Sequence, residues 1–593
     1  MNWTPAPSDE SLRRRSVLAA AAGALLPASG CVSRVDTVVE DTGRQLSLTL
    51  VTVPTDDDRG AIRIARHLES NLEAVGIDVT LDVRSQAGFL ESVLLDHDAD
   101  LFVDRYPVDV GADPDFLYAA LHSRFATQAG RQNPFGFANG TVDRLLEAQR
   151  RTDGDERQEY VASLLEEITA TKPFEPICRP AEHRLVRAER FDVDDLDGHQ
   201  LASRLGYLDL EPTDDEQVHA LLTDTRPTRN CNPLSVTMRR RGTIVDLLYD
   251  SLGVYEDGEI RPWLASSWDV ERDGRSTTVR LALRENARFH DGEPVTADDV
   301  AFTYRFLADT TPDSPLPSPA PRYCGRVSAV DDLEVHGEFD LSITTEAGAA
   351  VTGRVLTVPI LPAHVWQERL EARSDDQASA PQGRWNLVTD HVDPVGSGPY
   401  RMASRSERES LTLERHEEHF TLRERADEEE ETEDDDTDQL AAEIHFDVDP
   451  NSASMVERVA SGDADVTASP IQAYAATRIP DDDAVSHFEP PSRTFYYLGF
   501  NTRRDSLGED NVQLRRAIAR LVDKSWLAET VFRGDAEPIA TPVTEEWTPE
   551  RLAWDGDGEF LGDDGDLDLE SARETFADAG FEYDEDDRLV GQY

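Results

Sequence analysis

Apolar and polar residues alternate along the first part of the chain in patterns that predict strands and helices. Residues 46–53 (LSLTLVTV) alternate as a half-buried strand does, residues 61–74 carry apolar side chains at helical spacing, and residues 76–83 (GIDVTLDV) resume the alternation. Residues 100–103 add a further apolar strand, and helices are predicted over residues 141–148 and 158–169. The pattern therefore predicts an α/β fold that begins with a strand–helix–strand unit.

A second clear pattern lies near the middle of the chain, at residues 288–304 (RFHDGEPVTADDVAFTY). Asp291 and Gly292 form a dipeptide typical of tight turns. Thr296, followed three residues later by Asp299, is a capping pattern for the start of a helix. We interpret this segment as strand, turn, strand edge and helix, which is a scaffold and not a binding site. A helix over residues 570–580 and a strand over residues 588–590 are predicted near the end.

Two groups of short motifs stand in a rotated order along the chain. The front group is residues 76–79 (GIDV), 98–102 (DADLF), 113–117 (DPDFL), 139–143 (NGTVD) and 173–178 (PFEPIC); the back group is residues 247–252 (LLYDSL), 262–268 (PWLASSW), 288–304, 359–366 (PILPAHVW), 394–400 (PVGSGPY) and 498–501 (LGFN). The front group resembles the C-terminal part, and the back group the N-terminal part, of extracellular solute-binding protein family 5, the peptide and nickel receptors of ABC importers. We therefore expect a circular permutation, which exposed turns and neighbouring termini tolerate. Residues 588–590 and 46–51 should then be neighbouring strands of one sheet. The alternative is a gene-assembly accident, which the complete set of motifs disfavours.

The resemblance implies a two-lobed α/β fold of the periplasmic-binding-protein type (type II, cluster C-like) with an extra small subdomain. Lobe 1 is expected over residues 181–500, including the subdomain at 254–384 and an acidic insertion at 427–438. Lobe 2 combines residues 501–593 with residues 46–180, and the acidic linker 211–217 joins the former chain ends. Strands near residues 177–183 and 496–501 are the expected hinges.

The charge of the chain is far outside ordinary composition. It holds 119 acidic residues against 59 Lys and Arg, a net charge of -60, and Lys172 and Lys524 are its only lysines. Such a surface repels phosphate backbones, which excludes nucleic acid as a partner. Such a surface also needs salt. At an ionic strength of ~1 M the Debye length is about 3 Å, which is short enough to screen the repulsion between the acidic side chains. We expect a halophile's protein, folded and not disordered, since 39% of its residues are apolar and follow regular periods.

The N-terminal 31 residues have the order of an export signal, and residues 32–45 form a linker. Basic residues around Arg14 and Arg15 precede a short apolar stretch at residues 19–26 and small residues at 27–31, which resembles a twin-arginine signal. The apolar stretch is too short to span a bilayer. Residues 28–31 (ASGC) resemble a lipobox, so Cys31 is the candidate lipidation site; the alternative is a cleaved signal with an unmodified cysteine. The anchor implies a location on the outer face of the cell membrane.

Several other motifs are given structural interpretations. Cys178, Cys231 and Cys324 show no metal spacing and are expected to be buried free thiols, with a Cys178–Cys231 disulfide as the alternative. Residues 416–419 (HEEH) are one residue too short for a zinc-protease motif and are interpreted as a solvated polar turn. The glycines of 396–398 (GSG) are expected to form a tight turn, and the acidic run 428–438 to be a disordered surface insertion.

The resemblance also points to a ligand site. The candidate ligand-binding residues are Arg105, Tyr106, Asp109, Arg239, Arg240, Arg241, Tyr497 and Asn501. In the family's peptide receptors a cleft loop holds the ligand's amino terminus, and residues 105–110 (RYPVDV) stand in its place; Tyr106 would form an aromatic wall and Asp109 would bind an ammonium group. One arginine of 239–241 is a candidate partner for a ligand carboxylate. The alternatives are an exposed loop acid and arginines that balance surrounding acids.

The resulting prediction is a binding protein and not an enzyme, without a cofactor or metal. It would be a monomer that captures a peptide or similar small solute between its lobes, closes around it, and delivers it to an ABC permease and ATPase complex. Two alternatives stay open: a ligand-sensing receptor partner that uses the same cleft, and a secreted hydrolase with a cryptic carboxylate pair. Peptides, nickel chelates and oligosaccharides all remain candidate ligands.

Overall fold

The computed structural model describes residues 44–591, and its description leaves out 108–112, 127–132, 192, 194–195, 197–199, 211, 213–216, 236–242, 257, 312–318, 373–387, 389, 423–439, 482, 491, 493 and 557. The predicted signal with Cys31, most of the linker and the acidic run 428–438 lie outside the described residues. The described part contains both helices and strands throughout, so the α/β prediction is confirmed.

The strands, in chain order, are β1 (Ser47–Thr52), β2 (Asp78–Val83), β3 (Leu101–Pro107), β4 (Phe174–Pro180), β5 (Arg184–Arg187), β6 (Gln217–Leu222), β7 (Gly253–Glu256), β8 (Glu259–Pro262), β9 (Ala265–Asp273), β10 (Ser276–Leu283), β11 (Val330–Val335), β12 (Asp340–Thr345), β13 (Tyr400–Ser406), β14 (Ser410–Arg415), β15 (Glu443–Val448), β16 (Val466–Thr467), β17 (Val485–Phe488), β18 (Thr494–Phe500), β19 (Ala536–Pro538), β20 (Gly562–Asp563), β21 (Asp566–Leu567), β22 (Glu582–Tyr583) and β23 (Leu589–Val590).

The α-helices are α1 (Arg59–Ala74), α2 (Gln86–Glu91), α3 (Phe116–Leu121), α4 (Gly140–Arg151), α5 (Gly154–Thr171), α6 (Arg204–Leu208), α7 (Thr243–Leu248), α8 (Ala297–Ala308), α9 (Cys324–Val327), α10 (Ala349–Val355), α11 (Ala363–Glu371), α12 (Ser452–Ser461), α13 (Ala473–Ala476), α14 (Val512–Ala519), α15 (Lys524–Trp526) and α16 (Leu569–Asp578). Short π-helical turns at Ser92–Asp96 and Leu527–Val531 follow α2 and α15.

Two large sheets organise the described residues, each with its own hydrophobic core. The six-stranded sheet has the order β19-β4-β18-β3-β1-β2, and the seven-stranded sheet has the order β13-β14-β15-β6-β16-β5-β17. A four-stranded antiparallel sheet, β11-β12-β10-β9, packs into the core of the seven-stranded sheet. We call the part around the seven-stranded sheet lobe 1 and the part around the six-stranded sheet lobe 2; the structure is therefore two-lobed.

The sheet of lobe 2 combines strands from both ends of the chain. β1, β2 and β3 are parallel neighbours from the front, whereas β18 comes from the back and lies antiparallel between β3 and β4. Every residue of β18 is buried, which explains its continuous apolar sequence TFYYLGF. α1 covers this sheet with Ala61, Ile64, Ala65, Leu68 and Leu72 at helical spacing, and Asp58 caps its first turn by accepting from the Ala61 amide.

The chain passes between the lobes at two places in the described part. Residues 181–183 join β4 in lobe 2 to β5 in lobe 1, and residues 489–493 join β17 in lobe 1 to β18 in lobe 2. The second connection precedes the segment 496–501 that was expected to be a hinge. That segment is mostly an interior strand, because its continuous apolar run is buried on both faces of the sheet.

The predicted pairing of the chain ends is wrong in its detail. β23 pairs with β22 in a separate two-stranded sheet and is not a neighbouring strand of β1. It meets the start of β1 through an isolated antiparallel bridge between Gln45 and Val590, in which the Leu46 amide donates to the Leu589 carbonyl over 2.8 Å. The two ends of the described chain are therefore adjacent, but the bridge is too short to form a strand pair.

The scaffold segment at the middle of the chain matches its prediction. Gly292 occupies the left-handed region with φ 91°, as the tight turn requires. The backbone amide of Thr296 donates to the Asp299 carboxylate over 3.0 Å, and this capping box starts α8. The Gly396–Gly398 motif serves a different purpose from the expected turn: a Cβ on Gly396 would lie 1.9 Å from the Leu248 carbonyl oxygen, so glycine permits a close backbone approach.

Candidate functional site

A cavity of about 250 Å³ lies between the lobes and takes its lining from both of them. The lobe 2 side includes Arg105, Tyr106, Pro107, Asp115, Phe116 and Ala119; the lobe 1 side includes Arg184, Arg204, Tyr207, Asp246, Arg322, Arg326 and Arg354. Glu182 and Thr494, which flank the two chain connections, also contribute. Concave sites between lobes are common places for small ligands to bind.

The lobe 2 wall is built at the end of β3. Tyr106 is 8% exposed and stacks on Phe495 of β18 with ring centroids 5.6 Å apart, so the sheet fixes its orientation. Arg105 donates from Nε to the buried carboxylate of Asp58, which also accepts from the Tyr496 hydroxyl over 2.8 Å. Burial alone would lower the pKa of Arg105, but Asp58 and Tyr496 raise it well above the usual value. Arg105 is therefore a charged side chain that the Asp58 carboxylate holds in place at the cavity wall.

The lobe 1 wall carries hydrogen-bond donors. Arg184 donates to the Ala468 carbonyl over 3.0 Å and to Glu182 over 3.3 Å, but its buried Nε has no hydrogen-bond partner among the described residues. The hydroxyl of Tyr207, a residue 1% exposed, also has none in the described part of the chain. Burial raises the pKa of Tyr207, so the hydroxyl stays a neutral donor. Arg322 donates to the Pro233 carbonyl over 2.7 Å, a neutral partner that leaves its charge in place.

Arg204 is held at the cavity by a buried carboxylate behind it. Its Nη1 lies 2.7 Å from Asp250 Oδ1, which also accepts from Trp263 Nε1 over 2.7 Å, and His419 Nε2 lies 3.3 Å from Asp250 Oδ2. Burial alone would raise the pKa of Asp250, but His419 and Arg204 lower it below its usual value. A charged carboxylate therefore fixes the Arg204 side chain.

A buried ionic network joins the lobes beside the cavity. Arg354 of lobe 1 lies 2.9 Å from Asp115 and 3.4 Å from Asp113, both of lobe 2. Arg150 on α4 pairs with Asp115 over 2.6 Å and donates to the Gly325 carbonyl of lobe 1 over 2.7 Å. Burial alone would raise the pKa of Asp113, but Arg354 and Arg157 lower it. The network spans both lobes and connects them beside the cavity.

Arginines outnumber acidic residues among the described residues that line the cavity. Among the residues that the structure describes, six arginines and three acidic residues line it, although the whole chain has a net charge of -60. Arginine is suited to such a place because its planar group binds carboxylates with two donors. The site can therefore attract and orient a ligand that carries an anionic group.

The structure brings together only part of the predicted ligand site. Arg105 and Tyr106 line the cavity, whereas Tyr497 packs in the aromatic core of lobe 2, 4% exposed, between Phe102 and Phe174. Asn501 donates to the carbonyls of His97 and Ala99 and is not among the lining residues. The remaining candidates, Asp109, Arg239, Arg240 and Arg241, lie outside the described residues.

Sequence reasoning missed the lobe 1 arginines and the burial of the histidines in one motif. The motif 113–117 was noticed only as a landmark, although its two acids, Asp113 and Asp115, hold the lobes together. The predicted turn at residues 416–419 is present, and Glu417 and Glu418 are exposed in it. Its two histidines are buried, however, because His419 faces Asp250 and His416 packs against His290 with ring centroids 5.0 Å apart. The three cysteines are buried free thiols, as predicted.

A two-lobed α/β chain with a cavity between its lobes has the architecture of a ligand-binding protein that closes around a solute. Residues 259–591 match the model of the bacterial extracellular solute-binding proteins, family 5. The match covers more than half of the chain, and the protein therefore belongs to this family. Each described helix is too short or too polar to span a lipid bilayer.

Individual relatives are distant. The oligopeptide-binding protein OppA of Bacillus subtilis is 22% identical over 48% of this chain and 49% of its own length, and the periplasmic murein peptide-binding protein MppA of Escherichia coli is 24% identical over 52% and 53%. The chain thus spans about half the length of these curated relatives. The structure of NikZ from Campylobacter jejuni in complex with Ni(L-His) superposes with a TM-score of 0.43 and 16% identity, covering 64% of this chain and 66% of NikZ.

Proposed function

We propose that this protein is the solute-binding component of an ABC importer, which captures a peptide or similar small solute between its lobes and delivers it to a membrane permease and ATPase. The observation that carries the proposal is the inter-lobe cavity, whose walls come from both sheets. A ligand that contacts both walls favours the closed state, and the closed state is what a permease recognises. Binding and release need no catalytic residue.

The cavity favours a solute with at least one carboxylate. Arg184, Arg204 and Arg322 line the cavity from lobe 1, and the Tyr207 hydroxyl and Arg184 Nε have no hydrogen-bond partner among the described residues. Buried donors without a partner cost free energy, which a ligand oxygen would recover. Within the same proposal, Asp109 is the candidate partner of a ligand ammonium group, and one of Arg239, Arg240 and Arg241 that of a second carboxylate. Acidic peptides meet these requirements.

The circular permutation is part of the proposal. The family match begins at residue 259 and leaves the front half out, as a collinear comparison would do with a rotated chain. Strands β1–β4 from the front and β18 from the back share one sheet, and Gln45 lies beside Val590. A gene can be rearranged so that residue 591 is joined to residue 45 and the new chain termini lie in the acidic linker 211–217. Its product should have the same far-UV spectrum and ligand affinity as the original protein. Loss of folding in that rearranged protein would contradict the permutation.

Export, anchoring and salt adaptation complete the proposal. A twin-arginine signal would carry the chain across the membrane, and Cys31 would hold it there as a lipoprotein on the extracellular face. The net charge of -60 fits a protein of a halophile, because concentrated salt screens the repulsion between acidic side chains. Intact mass of the membrane fraction distinguishes a lipid-modified Cys31 from a cleaved, unmodified one.

Ligand-dependent stability tests the proposed function. Thermal unfolding of the protein without its first 31 residues, in multimolar salt, is measured against acidic peptides, their amidated analogues, nickel chelates and oligosaccharides. A true ligand at about 100 times its Kd adds ~2.7 kcal/mol to the free energy of unfolding. We expect acidic peptides to stabilise the protein and amidated analogues to do so less.

Two arginine variants test whether the ligand that stabilises the protein binds in the cavity. Arg322→Gln removes a positive charge from the lobe 1 wall, whereas Arg280→Gln removes an exposed arginine paired with Glu271 on β9, outside the cavity. We expect Arg322→Gln to weaken binding about tenfold and Arg280→Gln to leave it unchanged, since a charge-assisted hydrogen bond contributes about 1.5–3 kcal/mol. Equal affinities of the two variants would contradict the assignment of the cavity.

A further inference from the structure

Two histidines and a glutamate converge at the chain connections between the lobes. His183 lies in the connection from β4 to β5 and is 5% exposed; His487 belongs to β17, and Glu489 follows at the start of the return connection. β17 pairs antiparallel with β5, and His487 is the partner of Leu185 in that register. The strand pairing therefore brings residues some 300 positions apart in sequence to one place.

The three side chains present one ligand atom each at metal-binding spacing. His183 Nδ1 lies 3.1 Å from His487 Nε2 and 3.4 Å from Glu489 Oε1, and His487 Nε2 lies 3.6 Å from Glu489 Oε1. A tetrahedral ion bound at the usual 2.0–2.2 Å would separate its ligand atoms by about 3.3–3.6 Å, from the geometry of the tetrahedron. The triangle formed by these three ligand atoms thus matches one face of a tetrahedral site. The fourth ligand position would lie on the side of the ion opposite to this face.

A further carboxylate lies behind the buried imidazole. His183 Nε2 is 3.5 Å from Asp535 Oδ2 and has no hydrogen-bond partner among the described groups. Metal-bound histidines commonly direct their second ring nitrogen to a carboxylate, which fixes the tautomer and ring orientation. With Nε2 protonated and facing Asp535, Nδ1 of His183 keeps its lone pair for a ligand.

We propose that His183, His487 and Glu489 bind one divalent transition-metal ion of the Zn²⁺ class at the connection between the lobes. Two imidazole nitrogens and one carboxylate oxygen favour Zn²⁺, Co²⁺ or Ni²⁺ over Ca²⁺ and Mg²⁺, which prefer oxygen ligands. The three residues do not line the solute cavity, so this site is separate from the proposed function and does not rest on it. Its position makes it a clamp that holds the two chain connections together.

Titration calorimetry with ZnCl2 tests the site on the protein without its first 31 residues, stripped with a chelator and kept in concentrated NaCl. We expect one Zn²⁺ per chain in the wild type, an affinity at least about 100-fold lower in His487→Ala, and one about tenfold lower in Glu489→Gln. His445→Ala is the matched control: His445 is similarly exposed and lies 3.1 Å from Asp447 in the same sheet, but belongs to no three-residue cluster in the described part. It should bind Zn²⁺ as the wild type does.

The visible absorption of bound Co²⁺ provides a second readout, to which Co²⁺ bound by the acidic surface does not contribute. Tetrahedral Co²⁺ gives intense visible bands, whereas Co²⁺ held loosely by water and surface carboxylates does not. The wild type and His445→Ala should show these bands, and His487→Ala should lose them while keeping the wild-type far-UV spectrum. Equal Zn²⁺ affinity in wild type and His487→Ala, or only weak multisite binding in both, would overturn the proposal.

Discussion

A buried carboxylate in each lobe, Glu175 in lobe 2 and Asp250 in lobe 1, holds distant parts of the chain together, and the two carboxylates differ in what surrounds them. In lobe 2, Glu175 lies between Lys172, at 2.6 Å, and Lys524, so the chain places both of its lysines on one acid. In lobe 1, Asp250 contacts Arg204, His419 and Trp263. The first site contains two lysines, whereas the second contains one arginine, one histidine and one neutral donor.

The two buried carboxylates are expected to have different roles, one in stability alone and the other in both stability and solute binding. Glu175 and its lysines are not among the residues that line the cavity, and Lys524 joins the back of the chain to β4 from the front. Asp250 holds Arg204, which does line the cavity. Loss of Glu175 should therefore affect folding alone, while loss of Asp250 should affect both folding and the solute.

The largest effect is expected for Glu175→Gln. Burial alone would raise the pKa of Glu175, but the two lysines lower it, so the folded protein relies on the charged form. Without it, two ammonium groups face each other in a buried place, and breaking a buried pair costs about 3–5 kcal/mol. Chemical unfolding in multimolar salt should show this loss, with solute affinity unchanged in the folded variant. Glu73→Gln, an exposed acid on α1 of the same lobe, should unfold like the wild type.

A smaller loss of stability, about 2–4 kcal/mol, is expected for Asp250→Asn, because the amide oxygen still accepts a hydrogen bond but no longer balances Arg204. The variant should also bind the solute about tenfold more weakly, since Arg204 loses the partner that orients it. Calorimetry with the ligand found by thermal unfolding measures this. An Asp250→Asn variant that is destabilised but binds normally would show that Arg204 does not contact the solute.

The secondary structure was more accessible to sequence reasoning than the site. The strands at 46–53 and 76–83 and the helix at 61–74 follow from local periodicity, and the structure has them within a few residues. By contrast, Arg204 and Arg322 reach the cavity only through tertiary contacts, and no spacing marks them. The HEEH motif forms the predicted turn, but the burial of its histidines could not be predicted for the same reason: His419 is buried because Asp250, 169 residues away, gives its ring a partner. A local sequence pattern cannot reveal that a buried polar side chain has a partner so far away along the chain.

The histidines of lobe 1 predict acid sensitivity. Burial is the main cause that lowers the pKa of His290 to about 3, well below the value of about 6.5 for an unfolded chain. The unfolded state therefore takes up the proton first, so this contribution to stability is complete above pH 6.5 and is lost as the pH falls from 6.5 toward 3. The slope is about 1.4 kcal/mol per pH unit for each such histidine.

His290→Gln tests the contribution of His290 to the pH dependence of stability. The glutamine amide can still donate to the Gly398 carbonyl that His290 Nε2 contacts at 3.1 Å. Between pH 6.5 and 4.5 the free energy of unfolding should fall less steeply in the variant than in the wild type. Measurements at pH 8 give the cost of the substitution itself. Identical slopes in the two proteins would mean that His290 takes up a proton in the folded state.

The smallest effect is expected where the lobes touch beside the cavity. A Cβ on Gly325 would lie 2.9 Å from the Ala119 Cβ across the lobe interface, so Gly325→Val must push the lobes apart. Each lobe keeps its own core, and unfolding should change by less than about 1 kcal/mol, whereas closure around a solute should be impaired and Kd should rise about tenfold. Small-angle scattering should show a more open protein. Because His290 lies within lobe 1, away from this contact, this variant should keep the acid sensitivity of the wild type, which separates closure of the lobes from the stability of either one.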